Sequence, residues 1–286
     1  MKRGGEGMLK HTLIFLGISL LCSIPAHAFD FDLQKVIDIA KKTQQANKGI
    51  DEPEEIEIGR GIASNLLGAS PLMADDKVQQ YVNQVGRWVS LHTERPDLPW
   101  QFGVLESTDV NAFATPGGTI FITQGLLLKL NNESELAGVL AHEMVHVLRK
   151  HHLAALQKSA RMDIASELAS EALKNKADPA ILNKAIKAGT EVYARGLDKN
   201  DEFEADRMGI VIATRAGYDP FGLPAVLQML EASNAQDSSL ALMFKTHPAP
   251  HDRLSLLDKE MGDRFDTYPT PSQTDKRFIS EVPQHL

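Results

Sequence analysis

The stretch Leu136 to Lys150, LAGVLAHEMVHVLRK, constrains this chain more than any other. It carries His142, Glu143 and His146 in the spacing H-E-x-x-H. The pattern predicts a single helix. Asn132 stands where an N-cap is wanted, and Glu135, three residues on, completes a capping box. No Pro interrupts the run, and Arg149 and Lys150 suit the negative end of the helix dipole. Residues four apart share a helix face, so the two imidazoles stand side by side and can share one metal ion. Glu143 projects beside them, where it can hold a water without being a ligand. Leu136, Val139, Leu140, Val147 and Leu148 predict a mostly buried helix, in which two His and a Glu are costly without a partner.

The rest of the chain can supply a core for such a helix. It has 286 residues, 43% hydrophobic and 24% charged, a globular balance sufficient for one large domain. A net charge of −8 with no long basic run argues against nucleic acid or an anionic membrane surface as partner. The N-terminus reads as a secretory signal: Lys2, Arg3 and Lys10, an apolar run from Leu13 to Cys22, then the small-x-small site Ala26-His27-Ala28. Residues 1–28 are therefore expected to be removed, so that the mature chain begins at Phe29. The apolar run is too short to span a membrane comfortably, and no transmembrane helix is expected in the mature chain. Cys22 is the only Cys. Leu21 precedes it where a lipid-attachment site would want a small residue, so Cys22 is expected to leave with the signal, and the mature chain uses no disulfide.

Helices are expected over residues 29–48 and, opened by Pro53, over 53–67. A third runs from Asp76 to about Glu94, with Val78, Tyr81, Val82, Val85, Trp88 and Val89 as its apolar face. Residues 100–105 alternate as a strand, and two more strand pieces, 110–114 and 119–123, flank the turn Thr115-Pro116-Gly117-Gly118. A short helix, 125–130, leads into the motif helix. Beyond it, helices are expected over 153–174, 179–188, 201–216 and 220–232. After Asn234 the chain looks more broken, with His247 in a Pro-bounded loop before a short helix from His251 to Met261. Residues 267–286, with Pro269, Pro271 and Pro283, read as a loosely ordered tail.

A catalytic zinc site takes a third protein ligand and keeps one open position. Downstream candidates are Glu202, Glu204, Asp206, His247 and His251. Glu202 and Asp206 share one helix face and Glu204 points away from it. Glu202 can bind the metal while Asp206 accepts the N–H of a ligating His. A solvated acidic helix start accounts for the same residues. His151 and His152 read as surface or helix-end residues.

Taken together, the motifs resemble the gluzincin metallopeptidases of family forty-eight. The matching residues are Asn111-Ala112-Phe113-Ala114 with Pro116-Gly117-Gly118, Gly125-Leu126-Leu127, Glu135-Leu136-Ala137, the H-E-x-x-H motif, Glu202-x-x-Ala205-Asp206, and His247-Pro248 with Arg253. The resemblance implies an α+β fold, mainly helical, with a small sheet next to the active-site helix, over residues 29–266. It implies one Zn²⁺ on His142, His146 and Glu202, Glu143 as catalytic base, and Asp206 as proton donor or as the group orienting a ligand. It implies a periplasmic endopeptidase whose substrates are misassembled envelope or outer-membrane polypeptides, bound extended along the Asn111 to Thr123 region. His247 is left with three roles: a hydrogen-bond donor to the developing oxyanion, a fourth ligand that closes the site, or a structural imidazole. Some members carry many membrane spans and others a C-terminal tetratricopeptide array. This chain is expected to be the short, single-domain form without either. The competing expectation is a zinc-containing chaperone or binding factor with little proteolysis.

Overall fold

The computed structural model describes residues 50–156, 158, 196–234, 236–247, 249–268 and 272–282. The expected signal segment, the helix over 29–48, the helix over 179–188, most of that over 153–174, and Pro248, Pro269, Pro271 and Pro283 lie outside the described residues. In chain order the elements are α1 (Glu52–Ala69), α2 (Asp76–Ser90), β1 (Gln101–Leu105), β2 (Ala112–Thr115), β3 (Thr119–Thr123), α3 (Gln124–Leu127) and α4 (Glu133–Leu148). Then come α5 (Lys199–Arg215), α6 (Gly222–Ala232), a 3₁₀ turn (Ser238–Leu240), α7 (Ala241–Thr246), α8 (Pro250–Met261) and α9 (Ser272–Glu281). The α+β class and the small sheet agree with the sequence expectation.

Helix α4 is the axis of the fold, and every one of its residues is buried. Asn132 caps it, accepting from the Glu135 backbone N–H at 2.9 Å. The reciprocal half of the cap is shifted by one residue: the Glu135 carboxylate accepts from the Asn131 backbone N–H at 2.8 Å. Helix α2 lays Val78, Tyr81, Val82, Val85 and Val89 into the main core beside it. Trp88, read as part of that face, is instead about half exposed at 49%. Its indole N–H donates to the Ala216 carbonyl at 2.8 Å, which satisfies the polar end while one ring face stays wet.

The sheet has the order β1-β3-β2, with β1 parallel and β2 antiparallel to β3. The β2–β3 turn rests on Gly117 (φ 79°), where a Cβ would also meet the Ile56 backbone of α1 at 2.6 Å. This turn therefore fixes both the hairpin and the seat of α1. Strand β2 lies at a sheet edge and packs against α4. On the other side, α5 crosses α4 with Gly209 at the contact. A Cβ there would lie 3.0 Å from the His142 nitrogen, so the missing side chain sets how near the acidic face of α5 comes to the motif.

Two segments differ from the sequence expectation. The helix over α4 does not run on to Lys150: it ends at Leu148, and Lys150 adopts φ 57° before a new helical segment begins at residue 151. The tail also carries structure: α9 buries Phe278, and Val282 just beyond it is buried too, both against the main core. Arg277 of α9 pairs with the buried carboxylate of Glu133, which also accepts from Tyr81 (2.7 Å) and Tyr218 (3.0 Å). Among the described side chains, Phe278, Val282 and Arg277 tie to the core a ten-residue helix that low overall hydrophobicity had hidden. Among the described residues, no helix is long and apolar enough to cross a membrane.

Candidate metal centre

Four elements meet over the middle of α4. That helix supplies His142, Glu143 and His146, and α5 supplies Glu202 and Asp206. His247 follows directly on α7, and Arg253 comes from the first turns of α8. All seven are buried. The two motif imidazoles turn their Nε2 atoms toward each other, 3.1 Å apart. The Glu202 carboxylate faces both, with Oε2 3.6 Å from His142 Nε2 and Oε1 3.6 Å from His146 Nε2. His247 Nδ1 lies 2.9 Å from Glu202 Oε2, and its Nε2 lies 3.7 Å from Glu143 Oε1. One ligand atom from each of His142, His146, Glu202 and His247 falls within 4.8 Å of the others.

The surroundings decide which nitrogen carries a proton. Asp206 Oδ1 stands 3.0 Å from His142 Nδ1, which keeps a proton there and turns Nε2 toward His146 and Glu202. Asp206 is held in turn by Arg253, whose Nε and Nη2 reach its two oxygens at 2.7 and 2.5 Å. Arg253 Nη1 also comes within 3.5 Å of Glu202 Oε2. The Arg253 role had no signal in the sequence beyond its place in the motif series, because nothing local says that α8 turns this residue inward.

Burial works against charge on every one of these groups, and the partners overcome it selectively. Burial lowers His142, but the carboxylates of Asp206 and Glu202 hold its protonated form, up to about 9. His146 has no such support: burial and the neighbouring His142 cation push it well down. Burial raises Glu202, and His247 and His142 reverse this, holding the carboxyl well below its usual range. Burial raises Glu143 and its neighbours only partly offset that, so its carboxyl stands above the ordinary value.

His142, His146, Glu143, Glu202, Asp206 and His247 are thus brought together in one place. His251 is not: it is exposed and pairs with Glu231 at 2.6 Å. His247 lies, as expected, outside a helix, in the short connection between α7 and α8, where it closes the last turn of α7 with its backbone N–H on the Met243 carbonyl at 2.7 Å. His151, read as a surface or helix-end residue, is buried, with Nδ1 2.9 Å from His146 Nδ1. Glu204 does face away from the His142, His146 and Glu202 group, and it meets His151 and Arg149 instead.

Comparison with known proteins gives this geometry a context. The family described as Peptidase family M48 matches residues 76–261. The chain is 32% identical over 208 residues to the beta-barrel assembly-enhancing protease of Escherichia coli, covering 71% of this chain and 42% of that protein. It is 29% identical over 231 residues to the protein of that name from Yersinia pestis, 79% of this chain and 47% of the relative. The mitochondrial metalloendopeptidase OMA1 of Schizosaccharomyces pombe is 25% identical over 181 residues, 63% of this chain and 52% of its own length. The chain spans about half the length of these relatives.

Proposed function

Since the chain belongs to peptidase family M48, we propose that it is a zinc-dependent endopeptidase of the periplasm. The observation that carries the reading is the donor set on α4 and α5. His142 and His146 offer Nε2 atoms at 3.1 Å from each other, and Glu202 Oε1 is buried with no hydrogen-bond partner. Two imidazoles and one carboxylate are the ligands of a catalytic zinc, and a cation among them answers both the orphaned oxygen and the opposed nitrogens. His142, His146 and Glu202 would hold one Zn²⁺ per chain. When bound, zinc supplies Lewis acidity that makes a water acidic and polarises a carbonyl oxygen.

The chain's own residues do the rest. Glu143 accepts a proton on its carboxylate from the attacking water and returns it to the leaving amine. Its raised proton affinity brings the two transfers closer to balance. Asp206 fixes the Nδ1 proton of His142 and takes a positioning role, with Arg253 keeping it ionised. A substrate polypeptide would lie extended along the Asn111 to Thr123 region, recognised through its main chain. Misassembled outer-membrane polypeptides are the substrate class in keeping with the name of the Escherichia coli relative. His247 stands within the same donor group and next to Glu143, and we assign it the role of a further ligand that holds the resting site closed. His247→Ala should then raise basal proteolysis; an oxyanion donor would instead lose about 10²–10³-fold.

The test is to load the full chain with zinc and incubate it with casein and with an unfolded outer-membrane protein, with and without chelator. Cleavage lost to chelator and restored by zinc supports the reading. Substrate kept soluble but uncut at equal zinc occupancy would replace it with the chaperone reading, for which Glu143 has no use.

A further inference from the structure

From the contact between His146 and His151 we infer that His151 is a positioning residue for the metal centre, fixing His146 in the tautomer that can bind a cation. The inference deepens the zinc reading and rests on it. The two motif His are supported differently. For His142 the support is a carboxylate, Asp206, at 3.0 Å from Nδ1. For His146 it is another imidazole: Nδ1 of His151 lies 2.9 Å from Nδ1 of His146. Of two nitrogens at that distance, one carries the hydrogen and the other accepts it.

The choice matters for the ligand set. If His146 Nδ1 donates, its Nε2 is bare and faces His142 and Glu202 as a ligand atom. If His151 Nδ1 donates, the His146 proton moves to Nε2 and blocks the site. The surroundings of His151 select the first arrangement. Its Nε2 faces two carboxylates, Glu204 Oε2 at 3.5 Å and Asp201 Oδ1 at 3.7 Å, which favour a proton on that nitrogen and leave Nδ1 as acceptor. Arg149 holds the other Glu204 oxygen at 2.9 Å and so keeps the carboxylate in place. The chain of contacts runs from His146 to His151 to the carboxylates at the start of α5. One helix thereby supplies both a ligand, Glu202, and the groups that orient the ligand opposite it.

This arrangement exists because α4 breaks. In a continuous helix, residues five apart lie roughly 140° apart around the axis and cannot face each other. The left-handed conformation at Lys150 redirects the chain, and the imidazole of His151 swings beneath His146. Lys150 Nζ reaches Glu55 Oε2 at 2.9 Å, and Glu55 is itself buried and bound to Arg95, which ties the break to α1.

The decisive measurement uses the zinc-loaded wild-type chain with isotope-labelled histidines. Long-range proton–nitrogen correlation should find His151 protonated at Nε2 and bare at Nδ1, and His146 protonated at Nδ1. A proton on His151 Nδ1 overturns the proposal, since that nitrogen could then accept nothing. Competition against a chromophoric chelator gives a second readout. His151→Leu should lower zinc affinity about 10–100-fold, the range for groups that orient a ligand. His151→Asn, whose Oδ1 takes the place of Nδ1, should recover most of the loss. Wild-type affinity in His151→Leu, or equal loss in both variants, overturns the positioning role. If His151→Leu does not fold, the labelled wild-type spectrum decides alone. A wild-type chain that takes up no zinc refutes the metal reading itself, an outcome distinct from any of these.

Discussion

The two halves of α4 each hold a cluster around a buried carboxylate, and they are built in opposite ways. At the N-terminal end the Glu133 carboxylate accepts from two tyrosine hydroxyls and pairs with Arg277, and every partner is a donor that can give a hydrogen to it. In the middle of the helix, two imidazole nitrogens face each other, and a Glu202 oxygen is buried without a partner. The first cluster is complete without any further atom. The second sets two imidazole nitrogens and a carboxylate oxygen against one another, which is stable only with a proton or a cation among them. Burial and charge alone do not separate an anchoring cluster from a chemical one; the balance of donors and acceptors does.

The comparison predicts separable effects. The largest belongs to Glu143→Gln, which keeps size and loses basicity. Turnover should fall by about 10²–10⁴-fold while zinc content and thermal stability stay put. Near-normal turnover in the zinc-loaded variant would remove Glu143 as the base. Next comes Glu202→Gln, which should cost more than the roughly 10–100-fold in zinc affinity typical of an orienting group. Glu204→Gln should show a smaller loss, carried through His151. Elemental analysis after dialysis against graded chelator compares the two; equal losses would mean that the face of α5 has been misassigned.

The anchoring cluster should respond in stability and not in metal binding. Glu133→Gln removes the charge facing Arg277 and one of the acceptor oxygens, and should cost about 2 kcal/mol in denaturant unfolding, with zinc affinity of the folded chain unchanged. A shifted zinc affinity would show that the two halves of α4 are coupled. The smallest effect is expected for Asn132→Ala, which strips the cap that accepts from Glu135 and should cost about 1 kcal/mol. A loss far beyond that would mean that Asn132 holds more than the first turn.

What the amino-acid sequence determined by itself was whatever depends on local spacing. The i, i+4 pairs His142/His146 and Glu202/Asp206 share faces because a helix has a fixed period, and the cap at Asn132 is read from a single residue. The three strands and the turn at Gly117 were legible for the same reason. The motif order also identified the family, since separated motifs record a fold as a whole. The features decided only by the tertiary structure are those in which distant segments choose among local options. Lys150 takes a left-handed conformation that its own propensity disfavours, fastened by Glu55 from α1, and this alone brings His151 to His146. Phe278 and Arg277 make a helix of an otherwise polar tail because α2 and Glu133 offer them a place to bury and to pair. Gly209 allows α5 to approach α4, and the distance so set turns two ordinary helix faces into one donor set. Periodicity acts within one turn of chain, whereas close approach and strained backbone are stabilised by contacts from elsewhere, so only the folded molecule selects them.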